Sequence, residues 1–366
     1  MKTPRDWVTR PLSQIVSLQR GFDLPTHARV PGSVPVLSSG GVNGSHNEAK
    51  VDGDNFVIGR VTNIGRPTWS SVPVWPLNTT LFVKDFLGNF PKFCFYWFLA
   101  TDLSGFDSGS VQPTLNRNYI ANIPVAIPSF VEQRRIAEVL GALDDKIESN
   151  RRIAVKCDEI ANILFHQAAS VNRKLDEVSE VRMGVSPPGS SYNETGDGMA
   201  FFQGVRDFSL LHPVARVYTN QPKRLAAAGD ILFSVRAPVG RLNIADSPCC
   251  IGRGLAAITS NRSATCLFAL RAAAAEWEKF SAEGTVFGAV NQKSLKSTLI
   301  PWPDPVAEEE LEHQLSSLVT LVSQSERESI SLSKLRDALL PELMSGRMRV
   351  DEAGQLVSEA LDEEVR

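Results

Sequence analysis

Apolar residues recur every three or four positions between residues 131 and 168, a stretch that contains no proline. This period places them on one face of an α-helix, as in the seam of a coiled coil. Asn150 lies in the seam, where a polar residue can fix the register of two paired helices. A helix of about 38 residues is roughly 57 Å long. The seam residues are Ile136, Leu140, Leu143, Ile147, Ala154, Cys157, Ala161 and Leu164.

A second apolar stripe with the same period runs through residues 306–345 and is weakened in its middle by Ser325 and Ser329. Its members are Leu311, Leu315, Leu318, Val322, Leu332, Leu335, Leu339 and Leu343. An apolar stripe on a helix needs a partner to cover it, and the natural partner of each helix is the other. We therefore predict two long helices that pair as an antiparallel coiled coil.

The regions ahead of the two helices contain short apolar or alternating runs separated by Gly, Asn, Asp and Pro. Such runs are typical of β-strands, and Asp52-Gly53 and Gly229-Asp230 indicate tight turns just before a strand. The predicted strands are 34–37, 55–58, 80–83, 231–235 and 255–258, and the predicted shorter helices are 90–100 and 266–280. The predicted fold class is therefore α+β.

The chain repeats itself with an offset of 175 residues, since Asn116 is matched by Asn291 and Pro128 by Pro303. The loop at 109–118 corresponds to the loop at 284–293, and Gly21 near the start corresponds to Gly184. A period this long implies two similar domains and not a solenoid. The predicted boundaries are head 1 at 1–129, a central helix at 130–170, head 2 at 171–305, a second helix at 306–347 and an acidic tail at 348–366.

Composition narrows the class of protein. The sequence has no run of 18 apolar residues and no signal-like start, so we expect a cytoplasmic protein that makes no membrane contact. The cysteines are Cys94, Cys157, Cys249, Cys250 and Cys266, an odd number without a CxxC pair. We expect reduced, buried thiols and no metal site.

The net charge of −3 is distributed unevenly along the chain. Head 1 and head 2 each carry +3, residues 130–170 carry −1, and residues 306–366 carry −8. A charge of +3 on a domain of this size is a modest signal for nucleic acid, and a solvated surface explains it equally well.

Motifs of common enzymes are absent from the sequence. There is no Gly-Lys dipeptide of a P-loop, no GxSxG elbow and no HExxH zinc motif. The pair Pro187-Pro188 lacks the asparagine with which an adenine methyltransferase holds its target amino group. We predict no catalytic residue.

Residues 132–152, EQRRIAEVLGALDDKIESNRR, closely resemble the central conserved region of the specificity subunit of type I restriction-modification enzymes. The likeness covers nearly the whole chain. Further matching segments are 36–46, 58–65, 109–118, 229–241, 251–257 and 335–346. The second helix departs from the pattern, because AEEEL at 307–311 replaces the EQRRI type of start, so partner binding need not be symmetric.

The resemblance implies a subunit that catalyses nothing. Two target-recognition domains would each read one half of a split double-stranded DNA sequence, with the helices as a ruler between them. The implied partners are methyltransferase (M) subunits and restriction (R) subunits. S-adenosylmethionine, ATP and Mg are expected on those partners, and no cofactor is expected in this chain.

Side chains suited to DNA lie in Gly-rich segments after strands and in the repeated loop. Arginine can bridge guanine O6 and N7, and asparagine can pair with adenine N6 and N7; the alternative roles are phosphate binding and backbone capping. The predicted DNA-binding residues are Arg60, Thr62, Asn63, Arg66, Asn116 and Arg117 in head 1 and Arg236, Arg241, Arg253, Gln292 and Lys293 in head 2.

Charged residues along the central helix form the predicted partner-binding set, with a solvated helix flank as the alternative. They are Glu132, Arg134, Arg135, Asp144, Asp145 and Arg151. Since each head carries only +3, we expect the isolated chain to bind DNA weakly and to bind tightly once M subunits dock.

Three alternatives remain open. The chain could be the DNA-recognition subunit of a fused methyltransferase-nuclease, a coiled-coil scaffold whose heads bind protein, or an enzyme with an unfamiliar site. A partner pull-down, DNA filter binding and an activity assay of the chain alone discriminate among them.

Overall fold

The computed structural model describes residues 6–106, 113–282 and 289–362 of the 366-residue chain. The chain divides into two compact units. Unit 1 comprises Met1–Ile147 and Ser331–Arg366, and unit 2 comprises Glu148–Ile330. Each unit therefore contains one head and one half of each long helix.

Each head is built largely from short strands, as its alternating apolar runs predict. In unit 1 they are β1 (Val8–Pro11), β2 (Ser17–Arg20), β3 (Val34–Ser38), β4 (Gly41–His46), β5 (Asn55–Gly59), β6 (Pro67–Ser70), β7 (Trp75–Pro76), β8 (Thr80–Asp85) and β9 (Pro124–Ile127). In unit 2 they are β10 (Ala169–Lys174), β11 (Glu180–Met183), β12 (Tyr192–Asn193), β13 (Met199–Phe202), β14 (Tyr218–Thr219), β15 (Leu225–Ala226), β16 (Ile231–Ser234), β17 (Leu242–Ile244), β18 (Cys249–Ile251), β19 (Leu255–Thr259) and β20 (Leu299–Pro303).

Two of the α-helices are much longer than the rest. The helices are α1 (Pro91–Ala100), α2 (Arg117–Ile120), α3 (Phe130–Ala168), α4 (Leu175–Val178), α5 (Ser263–Ala272), α6 (Ala274–Ala282), α7 (Gln292–Ser297), α8 (Glu308–Met344) and α9 (Val350–Asp362). The bounds of α3 and α8 agree within two residues with the helices that the apolar stripes predict. Both copies of the repeated loop are described only in part, because residues 109–112 and 284–288 lie outside the described residues.

In unit 1 the strand orders are β2-β8-β5-β6 in a four-stranded sheet and β4-β3-β7 in a three-stranded sheet. Strand β5 is an inner strand, and Phe56, Val57 and Ile58 are buried on both of its faces. Strand β1 pairs antiparallel with β9, which brings the start of head 1 beside the segment that leads into α3.

Unit 2 has the related orders β11-β19-β16-β17 and β12-β14-β13-β18-β15. Strand β16 holds the position that β5 holds in unit 1, and all of its residues are buried. Strand β10 pairs antiparallel with β20, as β1 does with β9.

Corresponding backbone contacts confirm that the two heads repeat one framework. Gly21 N donates to Thr80 O at 3.0 Å, and Gly184 N donates to Leu255 O at 2.9 Å. A Cβ on Gly21 would lie 2.2 Å from Leu77 O, and Gly184 is equally close to a carbonyl oxygen. Only glycine permits this approach of two backbone segments, which explains why both copies keep it.

Helices α3 and α8 pair as an antiparallel coiled coil. In unit 1, Leu140 and Leu143 from the first half of α3 share a core with Leu339 and Leu343 from the last turns of α8. In unit 2 the last half of α3 shares a core with the first half of α8. Contacts that run in opposite directions along the two helices are those of an antiparallel pair.

The unit 2 half of this pairing shows how the seam is filled. Ala161 and Phe165 of α3 are buried together with Leu311 and Leu315 of α8. Asn150 is 2% exposed, so the polar residue that the sequence places in the seam is buried there.

The structure corrects the sequence-based prediction at two places. The sequence predicts one helix over 266–280, whereas α5 ends at Ala272 and α6 begins at Ala274. Trp277 stabilises the break, because its indole Nε1 donates to Leu270 O at 2.8 Å. The segment that we predict only as an acidic tail contains α9.

Helix α9 belongs to the core of unit 1. Val350, Ala353 and Val357 are buried there, at spacings of three and four residues along one helix face. The acidic residues of this segment lie at other positions of the helix. The segment is therefore an amphipathic helix, which its net charge alone does not indicate.

All five cysteines are free and buried. Burial raises the pKa of Cys94, Cys249 and Cys266 to about 12. These thiols stay protonated at neutral pH, which is typical of packing residues and not of nucleophiles.

Candidate nucleic-acid interface

A groove in unit 1 brings together four cationic side chains from segments that are far apart in sequence. Arg20 ends β2, Arg60 follows β5, Lys84 lies on β8 and Arg117 begins α2. All four line a groove of about 910 Å³. The sheet order β2-β8-β5 makes Arg20, Lys84 and Arg60 neighbours, and a hydrogen bond from Leu115 N to Arg60 O at 2.8 Å brings the segment before α2 beside them.

Two of these cations share one acceptor. Arg60 Nη1 donates to Asn78 O at 3.1 Å, and Arg20 Nε donates to the same oxygen at 3.4 Å. Burial lowers the pKa of Arg60, and the positive charge of Arg20 lowers this pKa further. The fold therefore holds two like charges together at one side of the groove.

The positive charge of the groove is poorly compensated. Within the described part of the chain, none of the four cations forms an ion pair. Asp23 supplies the single carboxylate among the lining residues, and it accepts a hydrogen bond from the Asn78 amide. A concave surface with this charge attracts anions.

Asn116 and Arg117, which we predict as DNA-binding residues, lie in this groove. The Asn116 side chain caps α2, because its Oδ1 accepts a hydrogen bond from Asn118 N at 3.0 Å. Arg117 Nη1 donates to Leu18 O at 3.0 Å and remains exposed. The cap fixes the start of α2, so the Arg117 guanidinium is presented at a defined place.

Thr62, Asn63 and Arg66 lie after β5, outside the residues that line the groove. Asn63 has the left-handed φ of 51°, and its Nδ2 donates to Ser39 O at 3.1 Å. That contact holds the loop in place. All three side chains are exposed, so the assignment of Thr62, Asn63 and Arg66 to DNA stays a prediction.

Arg20 and Lys84 are not among the residues predicted from the sequence. Each is an isolated basic residue at or near a strand end, without a motif around it. Aligning the two copies of the repeat residue by residue could have found them, since a charge present in one copy and absent from the other is visible in such an alignment.

In unit 2, two of the predicted DNA-binding arginines lie together. Arg236 and Arg253 line a cavity of about 150 Å³, which Gln203 also lines. Arg241 is exposed but does not line this cavity. Of the three predicted arginines in head 2, the structure therefore places two beside the same cavity.

Helix α7 carries the other two predicted residues of head 2. Gln292 Nε2 donates to Val181 O at 3.1 Å, while Lys293 is exposed. Asn291 caps this helix, since its side chain accepts a hydrogen bond from Ser294 N at 2.9 Å. The cap repeats the arrangement at Asn116.

Three of the cations predicted to bind partners form ion pairs on the surface. These pairs are Arg134–Glu138 at 2.7 Å, Arg151–Glu148 at 3.6 Å and Arg135–Asp351. Surface pairs of this kind contribute little to stability, so a partner can displace them at small cost. Glu132 and Asp145 are partly or fully exposed on α3.

Asp144 differs from the rest of the predicted partner-binding set. The Tyr96 hydroxyl donates to its carboxylate at 2.6 Å, and Arg336 Nη1 donates to it at 2.8 Å. This carboxylate therefore joins α1, α3 and α8 inside unit 1, and we give it a structural role.

Helix α3 also exposes an apolar stripe in unit 2. Ile153, Ile160 and Ile163 are 44%, 48% and 57% exposed. Their spacing of seven and three residues places them on one side of the helix, away from the seam. Exposed apolar residues in a row are typical of a protein-binding surface.

Metal-binding and membrane-spanning features are both absent from residues 6–106, 113–282 and 289–362. No group of three or more His, Cys, Asp or Glu side chains there could hold a metal ion. No helix in that part of the chain has the length and apolar character needed to cross a membrane.

A family model of the type I restriction modification DNA specificity domain matches residues 4–156 and 169–331. A protein described as the MjaX type I restriction enzyme specificity subunit of Methanocaldococcus jannaschii is 29% identical over 265 residues, which cover 65% of this chain. The chain spans 62% of the length of that relative. The S subunit of a type-I restriction-modification system from M. genitalium has a similar fold, with a TM-score of 0.68. That likeness covers 94% of this chain and 98% of the M. genitalium chain at 14% identity.

Proposed function

The chain belongs to the family of the type I restriction modification DNA specificity domain, and on that premise we propose that it is the DNA sequence-recognition subunit of a type I restriction-modification complex. Head 1 reads one half of a bipartite double-stranded DNA target, and head 2 reads the other half. The chain supplies recognition, and catalysis belongs to its partners. The observation that carries this proposal is the repeated framework of the heads. Two domains with the same framework are the arrangement expected for a target with two separate halves.

Charge at the heads supports contact with DNA. The groove of head 1 is lined by four cations with a single carboxylate, and Arg236 and Arg253 line one cavity in head 2. Arginine can bind phosphate oxygens or guanine edges in either place. We assign base contacts to exposed residues of the loops after β5 and β16, beginning at Thr62 and Arg236 respectively.

We propose that α3 and α8 act as the ruler between the two half-sites. Helix α3 has 39 residues, and a helix of this size is about 58 Å long. At about 34 Å per ten base pairs, the half-site centres lie within roughly 17 base pairs. Inserting about four residues, one helical turn, into α3 should lengthen the gap while both halves stay the same. An unchanged gap in such a variant would contradict the ruler.

The exposed face of α3 is the proposed docking surface for M subunits, and R subunits join the complex that they form. It combines the stripe of Ile153, Ile160 and Ile163 with the surface charges of Glu132, Arg134, Arg135, Asp145 and Arg151. S-adenosylmethionine, ATP and Mg are assigned to the partner subunits. We place the assembled complex in the cytoplasm, where the DNA is.

Methylome sequencing of cells tests the assignment of the heads. Head 2 is exchanged for the corresponding segment of a relative, in a chain that is otherwise unchanged. We expect one half of the methylated sequence to change, while the other half and the gap persist. If the methylated sequence were the same before and after the exchange, head 2 would not read DNA.

The same cells discriminate the alternatives. A pull-down that recovers one fused methyltransferase-nuclease in place of separate M and R subunits would assign the chain to that system. Loss of this gene without any change in methylation would favour a protein-binding scaffold.

A further inference from the structure

We propose that the groove of head 1 binds phosphates of the DNA backbone through Arg20, Arg60, Lys84 and Arg117, and that head 2 has no equivalent anchor. The inference rests on the proposed function and adds a division of roles between the heads. The salt-dependent part of DNA affinity then comes mainly from head 1, while head 2 contributes mainly sequence selection.

The repeat allows each groove residue to be matched to its counterpart in head 2. Leu115 N donates to Arg60 O at 2.8 Å, and Val290 N donates to Val235 O at 3.0 Å. Both residues of the second pair lie 175 positions after those of the first pair. Arg60 is therefore matched by Val235, which is buried and uncharged.

A second pair of contacts matches Arg117 of head 1 to Gln292 of head 2. Arg117 Nη1 donates to Leu18 O, and Gln292 Nε2 donates to Val181 O, at 3.0 Å and 3.1 Å. The glutamine reproduces the hydrogen bond of the arginine without its charge. The framework of the site is therefore repeated in the second copy, while the cation is not.

Strand register matches Arg20 to its counterpart, and the offset of 175 residues matches Lys84, which lies at a bulge in the pairing of β2 with β8. Arg20 pairs with Leu81 across β2 and β8, and Met183 pairs with Ala256 across β11 and β19. The head 2 counterparts of Arg20, Arg60, Lys84 and Arg117 are thus Met183, Val235, Thr259 and Gln292. All four positive charges are absent from head 2, although the backbone contacts of Arg20, Arg60 and Arg117 are repeated there.

The chemistry of the groove points to phosphate as its ligand. Arg20 and Arg60 converge on one carbonyl oxygen, Asn78 O, and neither has a carboxylate partner among the described residues. Holding two guanidinium groups together costs free energy that a bound anion recovers through charge-assisted hydrogen bonds. The ligand of this groove would come from DNA, and the anion that DNA presents whatever its base sequence is the backbone phosphate. Arg60, a possible base reader on sequence grounds, is therefore assigned here to phosphate.

The test measures how DNA binding depends on salt. The full chain in complex with its M subunits is titrated with a duplex that carries the methylated target, at several salt concentrations. The main variant is Arg20→Gln/Lys84→Gln, in which two exposed side chains lose their charge. Removal of one phosphate interaction makes the negative slope of log K against log salt shallower by about 0.9, so we expect its magnitude to fall by about 1.8 for the two.

Arg10→Gln is the matched control. It removes one positive charge from β1 of the same unit, and Arg10 is exposed but does not line the groove. We expect this variant to keep the wild-type slope. A charge-preserving variant, Arg20→Lys/Lys84→Arg, should also keep it, which separates loss of charge from damage to the fold.

The outcomes separate this inference from the proposed function. Specific binding with an unchanged slope in Arg20→Gln/Lys84→Gln would overturn the phosphate site and leave the recognition role intact. A change in the methylated sequence of this variant would show that the groove reads bases, which also overturns it. Failure of the wild-type complex to bind its duplex would instead contradict the proposed function.

Discussion

Glu326 is a carboxylate on α8 that unit 2 buries to 9% exposure. Its oxygens accept hydrogen bonds from Leu211 N at 3.3 Å, His212 N at 3.1 Å and the Ser209 hydroxyl at 2.9 Å. These three donors belong to the loop between β13 and β14. The carboxylate therefore fastens this loop of head 2 to the long helix.

Replacing Glu326 with alanine would leave two backbone N–H groups without an acceptor. A buried donor that loses its partner costs roughly 1–3 kcal/mol, and hydrogen bonds to a charged group lie at the upper end. The Leu211 contact is long, so we expect a total of about 3 kcal/mol for the local opening of this loop. At a factor of ten per 1.4 kcal/mol, the amides of Leu211 and His212 should exchange roughly 100-fold faster.

Hydrogen exchange followed by mass spectrometry on peptides that cover residues 208–214 measures this effect. Glu326→Gln keeps one acceptor oxygen, so its exchange rate should lie between those of the wild type and Glu326→Ala. Glu309→Ala, which removes an exposed carboxylate from the same helix, is the control and should change nothing. If Glu326→Ala exchanged within about threefold of the wild type, the carboxylate would not hold the loop and the reasoning would be refuted.

Three further predictions concern other parts of the chain. Asp144→Ala removes the acceptor of the Tyr96 hydroxyl and should destabilise unit 1 by about 2 kcal/mol, seen as faster hydrogen exchange in α1 but not in unit 2. Burial raises the pKa of Cys266 to about 12, so its thiol stays protonated at pH 7–9 and should not react with a thiol reagent until the protein is unfolded; rapid labelling of the native protein would contradict this. Ile160→Asp/Ile163→Asp places charge in the exposed stripe and should weaken M subunit binding at least tenfold in a pull-down titration with an unchanged circular dichroism spectrum, and equal binding would move the docking face elsewhere.

Local periodicity accounts for what the sequence predicts correctly. The spacing of three and four along α3 and α8 reports which side of each helix is buried, because 3.6 residues make one turn. Short strands such as β5 and β16 were recognisable from their apolar runs and the turn residues before them. The repeat was visible because both copies keep residues that the backbone requires, including the glycine pair Gly21 and Gly184 and the cap residues Asn116 and Asn291.

In two places the charge pattern does not show the contacts that the structure contains. The sequence predicts only an acidic tail at 348–366, yet three apolar positions are enough to bury one face of α9. Asp144 lies among charged residues that face solvent, and only the positions of α1 and α8 give its carboxylate internal partners.

By itself, the sequence of this protein determined two α+β heads, two long amphipathic helices and their order along the chain, since each of these is encoded by residues close to one another. The tertiary structure alone decided which charges meet. Arg20 and Arg60 share Asn78 O because sheet pairing brings β2, β8 and β5 side by side. Glu326 reaches Leu211 because α8 packs against head 2. Such contacts join residues separated by tens to more than a hundred positions, and no local period records which distant segment will supply the partner.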